Sequence, residues 1–220
     1  MAGGKRFKFT GSQIAVLTDF GADSPSLSIT GISKANPAVV SVSNHGLDSG
    51  DVVYITGCAG MLEVNDEAYI VKYKTGGTFE LVDTDSTGWG MWSSGGKMDQ
   101  ASFSNFCELT SYNRSGGSSP EIDADSLCST AKEYEIGLPD FGTTQIDFNF
   151  APRTAIQIAV DSFYRSGEKT AVKVELPNNG GEMVQLGFVQ QTSEQVGKGG
   201  LWTGSLTIRN TGPRYDVAAA

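Results

Sequence analysis

His45 is the only histidine in the 220 residues and the natural place to look for catalysis. Asp48 and Asp51 follow it closely and serines are plentiful, so a Ser-His-Asp arrangement can be imagined. No G-x-S-x-G turn accompanies it, and Asn44-His45-Gly46 has the composition of an ordinary polar turn. Asp83-Thr84-Asp85-Ser86-Thr87-Gly88 opens like a calcium loop, but its twelfth position is Ser94, where a bidentate Glu is needed. Asp123-Ala124-Asp125 offers two carboxylates at turn spacing, whereas glycoside hydrolysis needs two across a cleft, so a charged turn is the better reading. Gly57-Cys58-Ala59-Gly60 and Gly197-Lys198-Gly199-Gly200 lack the G-x-x-x-x-G-K-[ST] spacing of a phosphate loop and read as turns. Trp89-Gly90-Met91-Trp92 could meet a sugar or a partner; the preferred reading is that it folds back onto its own unit. Cys58, Cys107 and Cys128 form no C-x-x-C pair, and their odd, sparse count suits reduced thiols. With one histidine, a four-ligand zinc site has little support. The chain is therefore expected to carry no catalytic, cofactor or metal site, and not to be an enzyme.

The elements that would position such residues are mostly strands. The chain has 28 Gly and only 7 Pro, and its apolar fraction of 39% against 19% charged residues is that of a folded protein. Its net charge of −9 argues against a role in gripping phosphates, which takes clustered Lys and Arg. It is compatible with lining a conduit along which DNA must slide without sticking. Met1–Thr10 is basic but leads into no apolar run of signal length. No stretch reaches the ~20 apolar residues of a membrane helix, so a cytoplasmic site of synthesis and no membrane partner are expected.

Strands are predicted at Ile14–Leu17, Val39–Val42, Val52–Ile55, Ala68–Tyr73 and Thr78–Val82. Gly21–Ser28 is turn-like, and Ser93–Gly96 reads as an exit linker. The close spacing over 34–98 predicts a small β-barrel inserted into a second domain made of 1–33 and 99–220. Within that second domain, Phe103–Leu109 and Tyr134–Ile136 are candidate strands, and Gln145–Phe150 alternates like a half-buried one. Pro152–Ser166 is the one helix, with Pro152 in its first turn and Gly167 ending it. Its stripe of Ile156, Ala159, Val160 and Phe163 should pack with Phe148 and Phe150 onto a sheet. Thr170–Leu176 and Met183–Gln190 flank Pro177-Asn178-Asn179-Gly180-Gly181, a strong hairpin signal. Leu201–Ile208 is the last strand, and Asp216–Ala220 reads as frayed.

The run from Glu121 to Gly142, the helix, the hairpin around Glu175-Leu176-Pro177 and the ending Gly204–Gly212 together resemble the tail tube proteins of siphophages, whose tails are long and non-contractile. The resemblance spans about 98–217 and, less clearly, the first 33 residues. The middle section, from Asn36-Pro37 through His45-Gly46-Leu47, Gly50-Asp51, Gly60-Met61 and Tyr69, resembles a small β-barrel module of phage tail proteins. That module is similar to a domain of ubiquitin-activating enzymes.

The resemblance implies a mainly β fold: a tail-tube-type β-sandwich with one flanking α-helix, plus the inserted small β-barrel as an outer decoration. It implies a major tail tube subunit in the virion tail, assembled in the host cytoplasm. Its hexameric rings would stack around a lumen through which DNA passes during ejection. The implied partners are further copies of the chain, a tape-measure protein, and tail terminator or initiator proteins. The window 121–147 holds seven acids against Lys132 alone, and Glu121, Asp123, Asp125, Glu133, Glu135, Asp140 and Asp147 are the candidates to line the lumen. A solvated face would explain the same acids equally well. The polar, Gly-rich loop around Asn113, Arg114, Ser115, Gly116 and Gly117 is the candidate for ring stacking, together with the N-terminal segment and the C-terminal strand region. The rival reading is a free-standing β-rich module that binds carbohydrate or a cell surface.

Overall fold

The structure, a computed structural model, describes residues 6–22 and 24–218. Lys5 of the basic start, Asp23 of the 21–28 turn, and Ala219 and Ala220 of the end read as frayed lie outside them. Among the described residues the chain is mainly β, with one α-helix and one short 3-10 turn at Leu62–Val64. Its strands are β1 (Gln13–Phe20), β2 (Leu27–Ser28), β3 (Gly31–Ile32), β4 (Val39–Ser41), β5 (Val52–Ala59), β6 (Glu67–Thr75), β7 (Thr78–Leu81) and β8 (Ser94–Asn105). There follow β9 (Leu109–Arg114), β10 (Glu121–Asp123), β11 (Tyr134–Ile136), β12 (Thr143–Asn149), the helix α1 (Ala155–Ser166), β13 (Lys169–Glu175), β14 (Glu182–Gln195), β15 (Thr203–Asn210) and β16 (Tyr215–Val217).

Fourteen strands form one antiparallel sheet along the path β3-β4-β7-β6-β5-β8-β1-β13-β14-β15-β12-β9, with β2 beside β8 and β16 beside β14. β10 and β11 form a separate two-stranded sheet. The first part of the path closes on itself. Leu27 and Ser28 pair with Met98 and Lys97, and the Ile29 amide donates to the Gly96 carbonyl. Gly31 and Ile32 then pair with Ser41 and Val40. The chain from Leu27 to Ile32 thus bridges β8 to β4, and a small barrel results. Phe79, Leu47, Ile55, Met61, Leu81 and Val40 fill its interior, with Ile29 and Met98.

β8 is the joint between the barrel and the rest. Its first half pairs with β5 and its second half with β1. The predicted linker at Ser93–Gly96 is therefore not a linker: Ser94 and Gly95 are ladder partners of Ala59 and Cys58. Gly95 and Gly96 adopt positive φ there, and a Cβ on Gly96 would lie 2.4 Å from the Cys58 sulfur. Glycine signals a linker when read locally, but here it permits close approach between strands. For the same reason Gly57-Cys58-Ala59 lies within β5 rather than in a turn.

Other boundaries also moved. The candidate strand Phe103–Leu109 is broken at 106–108, where the chain reverses from β8 into β9. The helix starts at Ala155, behind Thr154 in extended conformation, and Pro152 sits in the preceding turn. Gly167 closes it with φ 71°, and its amide donates to the Phe163 carbonyl. Asn178 and Asn179 take positive φ in the β13–β14 turn. Tyr215–Val217, part of which reads as frayed in sequence, is a strand on the edge of β14.

Candidate functional site

Directly opposed residues of an antiparallel ladder point to the same side, so the register sorts every strand into two faces. Ile14 and Val16 share a face with Val174 and Val172. Through β13–β14 and β14–β15 that face continues to Val189 and Ile208, then to Leu206, Ile146 and Phe148. α1 packs here: Ile156, Ala159, Val160 and Phe163 are buried in one cluster with those residues, and Phe150 is half-buried against it. Ile156, Val160 and Phe163 each contribute about 1.5–3 kcal/mol by burial. The sheet curls around this core, so that Arg114 at the far end of the path donates through Nε and Nη2 to Gln185 Oε1 on β14 at 3.3 and 3.2 Å.

The outer faces of the two walls differ. On β1, β13 and the start of β14, the outward residues are Ala15, Leu17, Ala171, Lys173 and Val184. The small barrel covers them with Val52, Ala68 and Ile70, which join the same cluster as Leu17, Ala171 and Val184. Two lysines of β13 tie the layers together. Lys173 lies 3.6 Å from Asp51 and 3.3 Å from Glu182, over the Phe103 ring, and Lys169 pairs with Glu67.

The outer face of the second wall is uncovered by any described residue of the chain. It carries Gln191, Ser193 and Gln195 on β14 and Thr203, Ser205, Thr207 and Arg209 on β15. β12 adds Thr143, Gln145, Asp147 and Asn149, and β9 adds Ser111 and Asn113. The face is made mainly of hydroxyls and amides; its apolar member, Phe188, lies opposite Arg209 at the end of the wall nearest the small barrel. Ser193 and Ser205 share a 2.8 Å hydrogen bond across the strands, and Gln145 donates to Asp147 at 3.2 Å. Its two charges have opposite sign, and Arg209 is engaged by Asp140 at 2.6 Å. The wall ends at β9, whose outer edge is paired with no described strand.

Between β9 and β12 the chain leaves the wall and returns as an arm whose only strands are β10 and β11. A bridge between Ser118 and Asp140 holds its base. Two amide hydrogen bonds there run between Ser118 and Asp140, at 2.9 and 2.7 Å. The Gly142 amide and Arg209 hold the Asp140 carboxyl below the usual range. Lys132 does the same for Asp123 and Asp125, at 2.8 and 2.5 Å. The arm leaves Ile122, Leu127, Tyr134, Ile136 and Leu138 exposed.

The acids singled out in sequence are thus divided. Glu121, Asp123, Asp125, Glu133 and Glu135 lie on the arm and Asp140 at its base, while Asp147 is on the open wall. Of the proposed stacking loop, Asn113 and Arg114 belong to β9, paired with Gln145 and Thr144, and only Ser115, Gly116 and Gly117 are loop. Asn113 points outward on the wall and Arg114 inward.

The imagined triad is not assembled. His45 is 4% exposed, Nδ1 accepts from the Leu47 amide at 3.0 Å, and Nε2 is 2.7 Å from the Thr75 carbonyl. Both nitrogens are therefore spent on backbone, in the tautomer that protonates Nε2. Asp51 faces Lys173 instead. In the calcium-like stretch, Asp85 turns back onto Thr87 and buried Ser86 ties the loop to Ser33 and Ala35. No cluster of His, Cys, Asp and Glu fit for a metal occurs among the described residues. Trp89 and Trp92 pack against the barrel core, and the Trp92 indole donates to the Gly95 carbonyl.

The open wall escaped the sequence reading, although a signal was present. Thr143, Gln145, Asp147 and Asn149 alternate with Thr144, Ile146 and Phe148, as Thr203, Ser205 and Thr207 do with Leu206 and Ile208. Each alternation marks a strand with one wet face. What no single strand reveals is that the wet faces adjoin.

Residues 35–102 match the family model for the ubiquitin-activating enzyme E1 FCCH domain. No curated protein matches the chain. Among solved structures, 53% of the chain aligns with 87% of a chain described as the tail of an empty GTA particle, computed with helical refinement and C6 symmetry, at 16% identity and a TM-score of 0.43.

Proposed function

We propose that the chain is the major tail tube subunit of a long-tailed bacteriophage, built into stacked hexameric rings whose joined open walls line the lumen. The observation that carries this reading is the open wall itself. It is a four-strand face, mostly of neutral hydroxyls and amides, that ends in a strand edge unpaired among the described residues. An edge of this kind is a hazard in a monomer and a means of assembly in a polymer. When head-to-tail copies close by rotation, a ring results. A wall without clustered Lys or Arg gives phosphates nothing to grip, so DNA slides. The lumen in this reading is chiefly neutral. The arm acids lie at the junctions between copies, and Asp147 alone of the seven faces the channel.

The role requires no catalytic chemistry. The tape-measure protein would fill the lumen before ejection, and terminator or initiator proteins would cap the ends of the tube in the virion tail, after assembly in the host cytoplasm. Negative-stain electron microscopy of the purified protein over a concentration series tests the proposal. Six-fold rings or uniform hollow tubes are expected. A protein that stays monomeric at every concentration, and with tail initiator proteins added, refutes it.

A further inference from the structure

Resting on that assembly reading, we infer that the β10 edge of the arm takes the segment Arg6–Phe9 of a neighbouring copy as a third strand. A hairpin of two three-residue strands is marginal by itself, and both its outer edges are unpaired among the described residues. Its exposed apolar side chains, Ile122 at 52% and Ile136 at 80%, are an uneconomical surface for a free arm. The arm from Glu121 to Ile136 carries five carboxylates and one lysine, a net −4. The partner must therefore be basic and apolar together.

Arg6-Phe7-Lys8-Phe9 is such a segment. It is exposed and belongs to no helix or strand, and it alternates base with aromatic. β10 alternates in the complementary sense, with Glu121 and Asp123 on one face and Ile122 on the other. Laid along β10 in either direction, with Phe7 opposite Ile122, the segment puts Arg6 and Lys8 on the face of the two acids. Opposite charges and apolar pairs in cross-strand positions stabilise a ladder. The β11 edge offers the two bases a single acid, Glu135, where β10 offers both Glu121 and Asp123. In its own chain the segment rests on the β13–β14 turn, where a Cβ at Gly180 would come within 2.4 Å of the Phe7 ring. Pairing with a neighbour exchanges that contact for a strand ladder. Main-chain hydrogen bonds would supply the affinity and the charge alternation the register.

Cysteine cross-linking tests this. Cys107 and Cys128, the exposed thiols, are first replaced by Ser. Phe7→Cys and Ile122→Cys are then placed in separate chains, mixed under assembly conditions and oxidised. A disulfide-linked heterodimer is expected as the main product. Arg6→Glu with Lys8→Glu in the first chain should cut its yield at least tenfold, and Glu121→Lys with Asp123→Lys in the second should restore it. Rings or tubes without the heterodimer, or a yield indifferent to charge reversal, overturn the pairing and leave the assembly reading standing. A disulfide that forms only when one chain carries both cysteines overturns it in the same way. Failure of the parent protein to form rings or tubes overturns both.

Discussion

The two walls of the sheet share one antiparallel ladder and differ in what meets their outer faces. On the covered wall, Thr170, Ala171 and Val172 are buried at three successive positions, because a helix lies on one side of the strand and the small barrel on the other. On the open wall, Thr144, Ile146 and Phe148 are buried and the residues between them are wet. The lesson is that the barrel is part of the fold's support, not only an appendage. It supplies Val52, Ala68 and Ile70 to the main core and shares the unbroken strand β8 with it.

The largest effect should come from removing that support. Deletion of residues 35–97 is expected to abolish cooperative unfolding in a thermal melt, because it strips one face of β1 and β13 and cuts β8. A deletion variant that melts cooperatively would mean that the two walls differ only in decoration. Next is Gly204→Ala on the open wall's inner face. The new Cβ would lie 2.5 Å from the Phe148 ring, and overpacking of this kind costs about 1–3 kcal/mol. Phe148→Leu in the same chain should recover part of the loss in denaturant midpoint.

Lys173→Met probes the joint between the layers. The lysine is only 14% exposed between two carboxylates, and its loss leaves them facing each other. A cost of about 1–3 kcal/mol is expected, between the values for exposed and fully buried pairs, as a lowered urea midpoint. The smallest stability change belongs to the open wall's outer face. Ser205→Lys with Thr207→Lys should shift stability by no more than about 0.5 kcal/mol, as surface changes do. In particles carrying the double variant, however, DNA release should slow, and added salt should reverse the slowing. Unchanged release would remove this wall from the channel.

Local pattern was enough for several elements, because the physics that makes them is local. The stripe Ile156, Ala159, Val160 and Phe163 places a helix with one apolar face, and Gly167 stops it by adopting positive φ. Asn178 and Asn179 turn β13 into β14 for the same kind of reason. Alternation marks β12 and β15 as strands with one wet face. The tertiary structure alone decided where those faces go. Glycines 95 and 96 read as a linker until Cys58 and Ile29 are seen against them, and the acids from Glu121 to Glu135 read as one surface until the chain lifts them onto an arm. Burial and exposure depend on partners distant in sequence, and a residue's near neighbours carry no record of what will cover it.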